Sequence, residues 1–332
     1  MKKVLLAIAA VATITSCSQN EEFENPGQKA EINLGTVVKT ASRAVVTNNT
    51  TFQSFKVSSF IVASDFNFVT TFLGSPYMDG VEYTGGQNSW TTTDSNKYYW
   101  PTGKNVQFFG YPNDLALALP TEATKGYPTL AFTIGATSSA QTDLVVASEN
   151  MAKPEGNTAT LNFKHILAKI NFSYKPEDVD YIYNITSIKI TGVKGGAAIY
   201  TYAKNVTDGT WSVGETVTDG YIYPISVAET AKDGFYNLDS TDGSLMLLPQ
   251  DVAGAIINIT YKTTKTINGV EETFFNDTKT VTLPENSKWG VGQSIRYKLT
   301  LPVGAEQIGI ATDVKDWEDE TPETPNIDSP VA

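Results

Sequence analysis

The feature that most constrains the fold is a period of two in the apolar positions. Ile185-Thr186-Ser187-Ile188-Lys189-Ile190-Thr191 and Ile256-Ile257-Asn258-Ile259-Thr260-Tyr261 alternate apolar and polar side chains. Successive strand residues point to opposite faces, so such a pattern sets one face in a core and the other in water. From about residue 31 to residue 317 the chain keeps this character. Its runs are short, rich in Val, Ile, Thr, Tyr and Phe, and separated by clusters of Gly, Asn, Asp and Pro. Strands are expected over 53–63, 106–111, 130–134 and 144–147, then over 161–174, 185–193, 197–202, 245–248, 255–263, 280–283 and 294–301. No stretch holds a helical period for more than a turn or two. Many short strands without intervening helices predict an all-β chain built of β-sandwiches.

Punctuation along the chain suggests where the sandwiches divide. Met151-Ala152-Lys153-Pro154-Glu155-Gly156-Asn157 is polar and interrupted by Pro and Gly, so it is the expected boundary between units at 31–155 and 156–317. Residues 17–30 are polar, contain Pro26-Gly27 and read as a tether. Residues 318–332 are acidic and proline-rich and read as a tail without a core of its own.

The first residues address the chain for export. Lys2 and Lys3 precede an apolar run over 4–12, too short to span a bilayer, which needs about 20 apolar residues. It fits a signal peptide spanning 1–16. Ile14-Thr15-Ser16-Cys17 resembles a lipobox, which implies cleavage between Ser16 and Cys17 and acylation of Cys17. Several acyl chains on one cysteine suffice for a stable outer-membrane anchor. Cys17 is the single cysteine, so no disulfide is expected and the fold must rest on its cores. Removing residues 1–16 takes away two lysines and no acid, which moves the net charge from −12 to −14. A surface so acidic offers no footprint for nucleic acid.

Catalytic chemistry has little to work with. His165 is the only histidine, and it sits inside the β-like run Phe163-Lys164-His165-Ile166-Leu167, where a packing role is expected. Nucleophile-elbow, zinc-helix, P-loop and dinucleotide motifs are absent. Asp239-Ser240-Thr241-Asp242-Gly243 has the look of a calcium turn but lacks the downstream bidentate glutamate, and reads as a plain turn. No catalytic residue, metal or cofactor is therefore expected. Sixteen tyrosines and five tryptophans could build a glycan platform, but strands and sandwich cores favour aromatics anyway.

Several fragments together resemble the fimbrillin family, including its Mfa-like branch. They are Tyr99-Trp100-Pro101-Thr102-Gly103 with Val106-Gln107-Phe108-Phe109-Gly110-Tyr111-Pro112, then Asp143-Leu144-Val145-Val146-Ala147, then Leu161-Asn162-Phe163-Lys164-His165-Ile166-Leu167-Ala168-Lys169-Ile170. Leu248-Pro249-Gln250, Trp289-Gly290-Val291-Gly292-Gln293 and Val314-Lys315-Asp316-Trp317 follow in the same order. The resemblance implies two tandem transthyretin-like β-sandwiches in a lipid-anchored subunit of a surface fimbria that contributes to adhesion. Its partners would be other fimbrillin subunits, joined head to tail by strand exchange, with a host or glycan ligand beyond them.

The resemblance also implies processing. In the family an N-terminal strand fills the subunit's own groove until an arginine-specific protease removes it. Here that strand would lie over 31–39 and the bond would be Arg43-Ala44, with a donor strand over 308–314. Arg296, the only other arginine, falls in an expected strand. Two rival readings remain: a non-polymerising surface lipoprotein that binds glycans through exposed Trp and Tyr, and a surface glycoside hydrolase with two facing acids.

Overall fold

A computed structural model describes residues 30–38, 47–48, 51–86, 89–225, 234–239, 243–304 and 306–317. Among these, the regular structure is strand apart from three single turns of 3-10 helix. In chain order the strands are β1 (Asn33–Val38), β2 (Ser54–Val62), β3 (Met78–Gly86), β4 (Ser89–Thr91), β5 (Asn105–Tyr111), β6 (Leu117–Ala118), β7 (Thr129–Thr133) and β8 (Val145–Met151). Next come β9 (Thr158–His165), β10 (Ala168–Pro176), β11 (Ile182–Thr191), β12 (Ala197–Thr201), β13 (Thr210–Ser212), β14 (Tyr221–Ile222) and β15 (Tyr236–Asn237). The remainder are β16 (Leu245–Leu247), β17 (Gln250–Asp251), β18 (Ile256–Ile267), β19 (Val270–Thr282), β20 (Lys288–Trp289), β21 (Gln293–Leu301) and β22 (Gly309–Asp316).

The alternating runs behave as their period requires. β11 and β18 pair antiparallel, with Ile188 opposite Ile259 and Ile190 opposite Ile257. All four of these isoleucines are fully buried. The expected strand over 161–174 is instead two, because the chain turns at Ile166-Leu167. β9 joins a seven-stranded sheet in the order β1-β9-β8-β5-β2-β3-β4, and β10 joins a five-stranded sheet, β15-β10-β21-β22 with β16 also on β10. Every residue from His165 to Tyr174 is buried, so no polar face marks the break.

The segment 151–157 is a turn between two paired strands. β8 and β9 run antiparallel on either side of it, with Val145 opposite His165. A four-stranded sheet, β13-β12-β7-β6, also crosses residue 155 by pairing β7 with β12. The other sheets are β14-β11-β18-β19 and the pair β17-β20.

Two hydrophobic clusters hold these sheets together, and the seven-stranded sheet serves both. Phe55 and Val57 of β2, Val106 and Phe108 of β5, and Val145 and Ala147 of β8 face the smaller cluster with Phe163. Their neighbours Phe60, Val62, Phe109, Tyr111, Leu144 and Val146 face the larger one, which gathers side chains as far along as Trp317. Strands buried on both faces read as continuous apolar runs. That is the character of Val106–Tyr111 in the sequence.

The cores are rich in tyrosine, which sets an alkaline limit. Burial, with the charges of Asp94 and Glu31, pushes the Tyr83 hydroxyl up to about 12. Burial takes Tyr297 to about 12 as well, against the pull of the Trp289 indole N–H bonded to it at 2.8 Å. Unfolded phenols ionise near 10. The stability contributed by the protonated form is complete below about pH 10 and is lost as the pH rises through about 12. Thermal midpoints are therefore expected to stay level from about pH 8 to 10 and to fall beyond. A level midpoint near pH 11.5 would overturn that expectation.

Candidate functional site

Both terminal strands lie at sheet edges. β1 falls where the family resemblance implies an N-terminal strand, and burial with a period of two explains why it docks. Ile32, Leu34, Thr36 and Val38 are all buried, and the strand runs parallel to β9, Val38 opposite Phe163. Its start is pinned by Ile32 N–H to the Tyr98 carbonyl at 2.8 Å and by Trp100 N–H to the Ala30 carbonyl at 3.0 Å. Lys97 reaches Glu31 at 2.7 Å on the surface.

The other edge of the same sheet comes round to meet β1. Trp90 of β4 donates its indole N–H to Thr36 of β1 at 3.0 Å. A cleft of about 660 Å³ opens between these edges, lined by Asn33, Gly35, Trp90, Asn96 and Tyr98 among others. Without β1, the β9 edge would present bare N–H and C=O groups beside the pockets of Ile32, Leu34 and Val38. Such an edge binds an added strand.

β22 is the C-terminal edge strand, antiparallel to β21 with Val314 opposite Ile295 and Ile310 opposite Leu299. None of its eight residues is buried. The flanking residues are: Ile308 is 8% exposed and Trp317 is 0% exposed. The expected donor over 308–314 thus falls on an edge strand already paired within its own chain.

Ser16, Cys17, Arg43 and Ala44 lie outside the described residues. Arg296 lies in β21 as expected, and its guanidinium is occupied. It grips both carboxylate oxygens of Asp239 at 2.7 and 2.9 Å and donates to the Phe172 carbonyl at 3.1 Å. Tyr223 donates to the same carboxylate at 2.9 Å. Burial and the adjacent carboxylate hold the Tyr223 hydroxyl well above its ordinary range. Asp239 of the calcium-like turn is therefore committed to an ion pair, and residues 240–242 are outside the described residues.

His165 pairs with Asp143 at 2.9 Å, and both side chains are 1% exposed. Its other ring nitrogen has no hydrogen-bond partner among the described residues, so no hydroxyl completes a triad there. Trp317 stacks on the imidazole at 4.3 Å. The sequence did not announce this Asp143–His165–Trp317 grouping, since its members are spread over three segments. Its one visible sign was that all three members fall in fragments that carry the family resemblance. Trp100, Trp289 and Trp317 are core residues, at most 5% exposed. Trp90 and Trp211 are half-buried, with their indole N–H groups bonded to Thr36 and to the Ile166 carbonyl.

The sequence profile described as fimbrillin-like matches residues 42–317. Over 98% of its length the chain is 26% identical to fimbrium subunit Fim1C of Phocaeicola vulgatus, and the match covers 99% of that protein. The crystal structure of a fimbrial protein from Bacteroides vulgatus has a similar fold, with a TM-score of 0.65 at 18% identity over 86% of this chain and 99% of that one.

Proposed function

The chain belongs to the fimbrillin-like family, and we propose that it is a structural subunit of a cell-surface fimbria that assembles by exchanging β-strands. The observation that carries this reading is the placement of β1. It is an edge strand that, with the preceding Ile32, adds Leu34 and Val38 to the smaller cluster and covers the edge of β9. Loss of β1 leaves a groove shaped for a strand from another copy. Repetition of one such heterologous contact gives an open filament.

Export follows from the N-terminus: cleavage after Ser16, lipid on Cys17 and an outer-membrane anchor at the cell surface. Cleavage at Arg43-Ala44 would then release the segment that includes β1. Arg43 suits a protease that requires arginine, because Arg296 is held by Asp239 and lies within a paired strand. Other copies of the chain, or related subunits, would be the partners, and adhesion the outcome. The role is structural rather than enzymatic.

The test is limited trypsin treatment of the unlipidated precursor, followed by mass spectrometry and native gels. A cut after Arg43 together with a ladder of oligomers is the expected result. A clean cut that leaves only monomer would refute assembly by strand exchange.

A further inference from the structure

A second open cleft, of about 670 Å³, lies between β13 and the β17–β20 pair. No residue of β1 or β22 lines it. Trp211 of β13 forms one wall and is fixed before any ligand arrives. Its indole N–H donates to the Ile166 carbonyl at 2.9 Å, and its ring packs 5.3 Å from Tyr200 and 6.4 Å from Phe132. It is nonetheless only half-buried, and it lines the cleft. The opposite rim is stapled as well. Gln250 accepts the Lys194 N–H at 2.7 Å and donates to the Lys194 carbonyl at 2.9 Å. Val252 N–H bonds to the Ser287 carbonyl at 2.9 Å and holds the two sides of that rim together.

The polar groups around the ring are uncommitted. Asp251 and Lys288 are register partners on β17 and β20 and both are exposed, yet no ion pair joins them among the described residues. One carboxylate oxygen of Asp251 accepts the Ala253 N–H at 2.9 Å, and the other is open. Asn286, in the left-handed region at φ +70°, and Thr210 are exposed on the same cleft. Neither side chain has a hydrogen-bond partner among the described residues.

We infer that this cleft is a binding site for a short neutral oligosaccharide. A sugar ring has an apolar C–H face and a rim of hydroxyls that both donate and accept. Trp211 offers a flat apolar surface with an electron-rich face. Around it Asp251 accepts, Lys288 donates, and Asn286 and Thr210 do both. One aromatic surface with a few placed polar groups, in a volume within about 300–1,000 Å³, is the make-up of a small-ligand site. The single carboxylate and single ammonium cancel, so the cleft itself favours no net charge. The chain's net charge of −12 acts against acidic sugars. Because Trp211 and Gln250 are already held in the free protein, little ordering is left for binding to impose. The site goes beyond strand exchange: none of its lining leaves with β1 or β22, so it serves an assembled subunit as well as a free one. Only its use in adhesion rests on the surface-subunit reading.

The test is a saturation-transfer NMR titration of the intact, unlipidated Cys17→Ser protein with lactose, maltose and diacetylchitobiose, and with sialyllactose as the acidic counterpart. Saturable binding of at least one neutral disaccharide is expected, with a Kd of about 1 mM or tighter, as fits one stacking surface and a few hydrogen bonds. Trp211→Ala is expected to abolish it. Since that change also removes the bond to the Ile166 carbonyl, Asp251→Asn is the second variant. It keeps an acceptor for Ala253 and the thermal midpoint of the parent, and is expected to weaken binding at least about tenfold through loss of a charge-assisted hydrogen bond. Binding that survives both substitutions would lie elsewhere and overturn the site. Binding of no neutral sugar, or of sialyllactose alone, would overturn it too. Native gels after the Arg43 cut read strand exchange separately. An oligomer ladder from a protein that binds no sugar leaves that reading standing, and a sugar-binding protein without a ladder leaves the cleft standing alone.

Discussion

A chain ending at residue 304 is expected to fold as a monomer and to give no oligomer ladder after the Arg43 cut. The structure explains why both halves of that result belong together. Deletion of 305–332 removes β22, none of whose own residues is fully buried, although Ile310 packs against the larger cluster. The loss is concentrated in Ile308 and Trp317. Removing a fully buried Trp side chain costs about 3–5 kcal/mol, and the other sheets packed against the same cluster are left in place. On the strand-exchange reading, what disappears is the donor segment. Native gels after proteolysis read the outcome, and a normal ladder from the truncated chain would show that the donor lies elsewhere.

Phe163→Ala should lower stability by about 3–5 kcal/mol and weaken the hold on β1. The ring is 1% exposed and lies 4.7 Å from Phe52 and 5.1 Å from Phe55, in tilted and edge-on arrangements. It also covers Gly110, where an added Cβ would sit 2.5 Å from the ring. The space left by Ala cannot be refilled from Gly110, which has no side chain to extend. Val38, opposite Phe163 on β1, loses a neighbour at the same time. Urea denaturation measures the change, and a loss below about 1 kcal/mol would mean that Phe52 and Phe55 collapse into the vacancy. Faster cutting at Arg43 in the variant would report the weakened strand.

The strands were most legible where one face meets water. β11 and β18 stood out because Lys189 and Asn258 alternate with buried isoleucines and sit opposite each other on the outer face. Legibility failed at both extremes of burial. The run through Ile166-Leu167 is buried on all sides, so its turn between sheets left no polar mark. β19 fails the other way: most of its thirteen residues are exposed, and only its end over 280–283 looked like a strand. Parallel pairing of β1 with β9 and of β10 with β21 was invisible, because it depends on partners more than a hundred residues away. Separation in sequence also hid the stacking of Trp317 on the Asp143–His165 pair, although the family resemblance had drawn attention to the segments that hold all three.

The sheet that contributes one face to each cluster has a mechanical consequence. β2, β5 and β8 each place alternate residues in both clusters. Pulling either cluster apart disturbs strands that also serve the other. Resistance to force depends on the height of the unfolding barrier rather than on equilibrium stability. A filament of these subunits would meet the drag of flowing liquid with one robust unit per copy, and its first point of yielding would be the joint between copies.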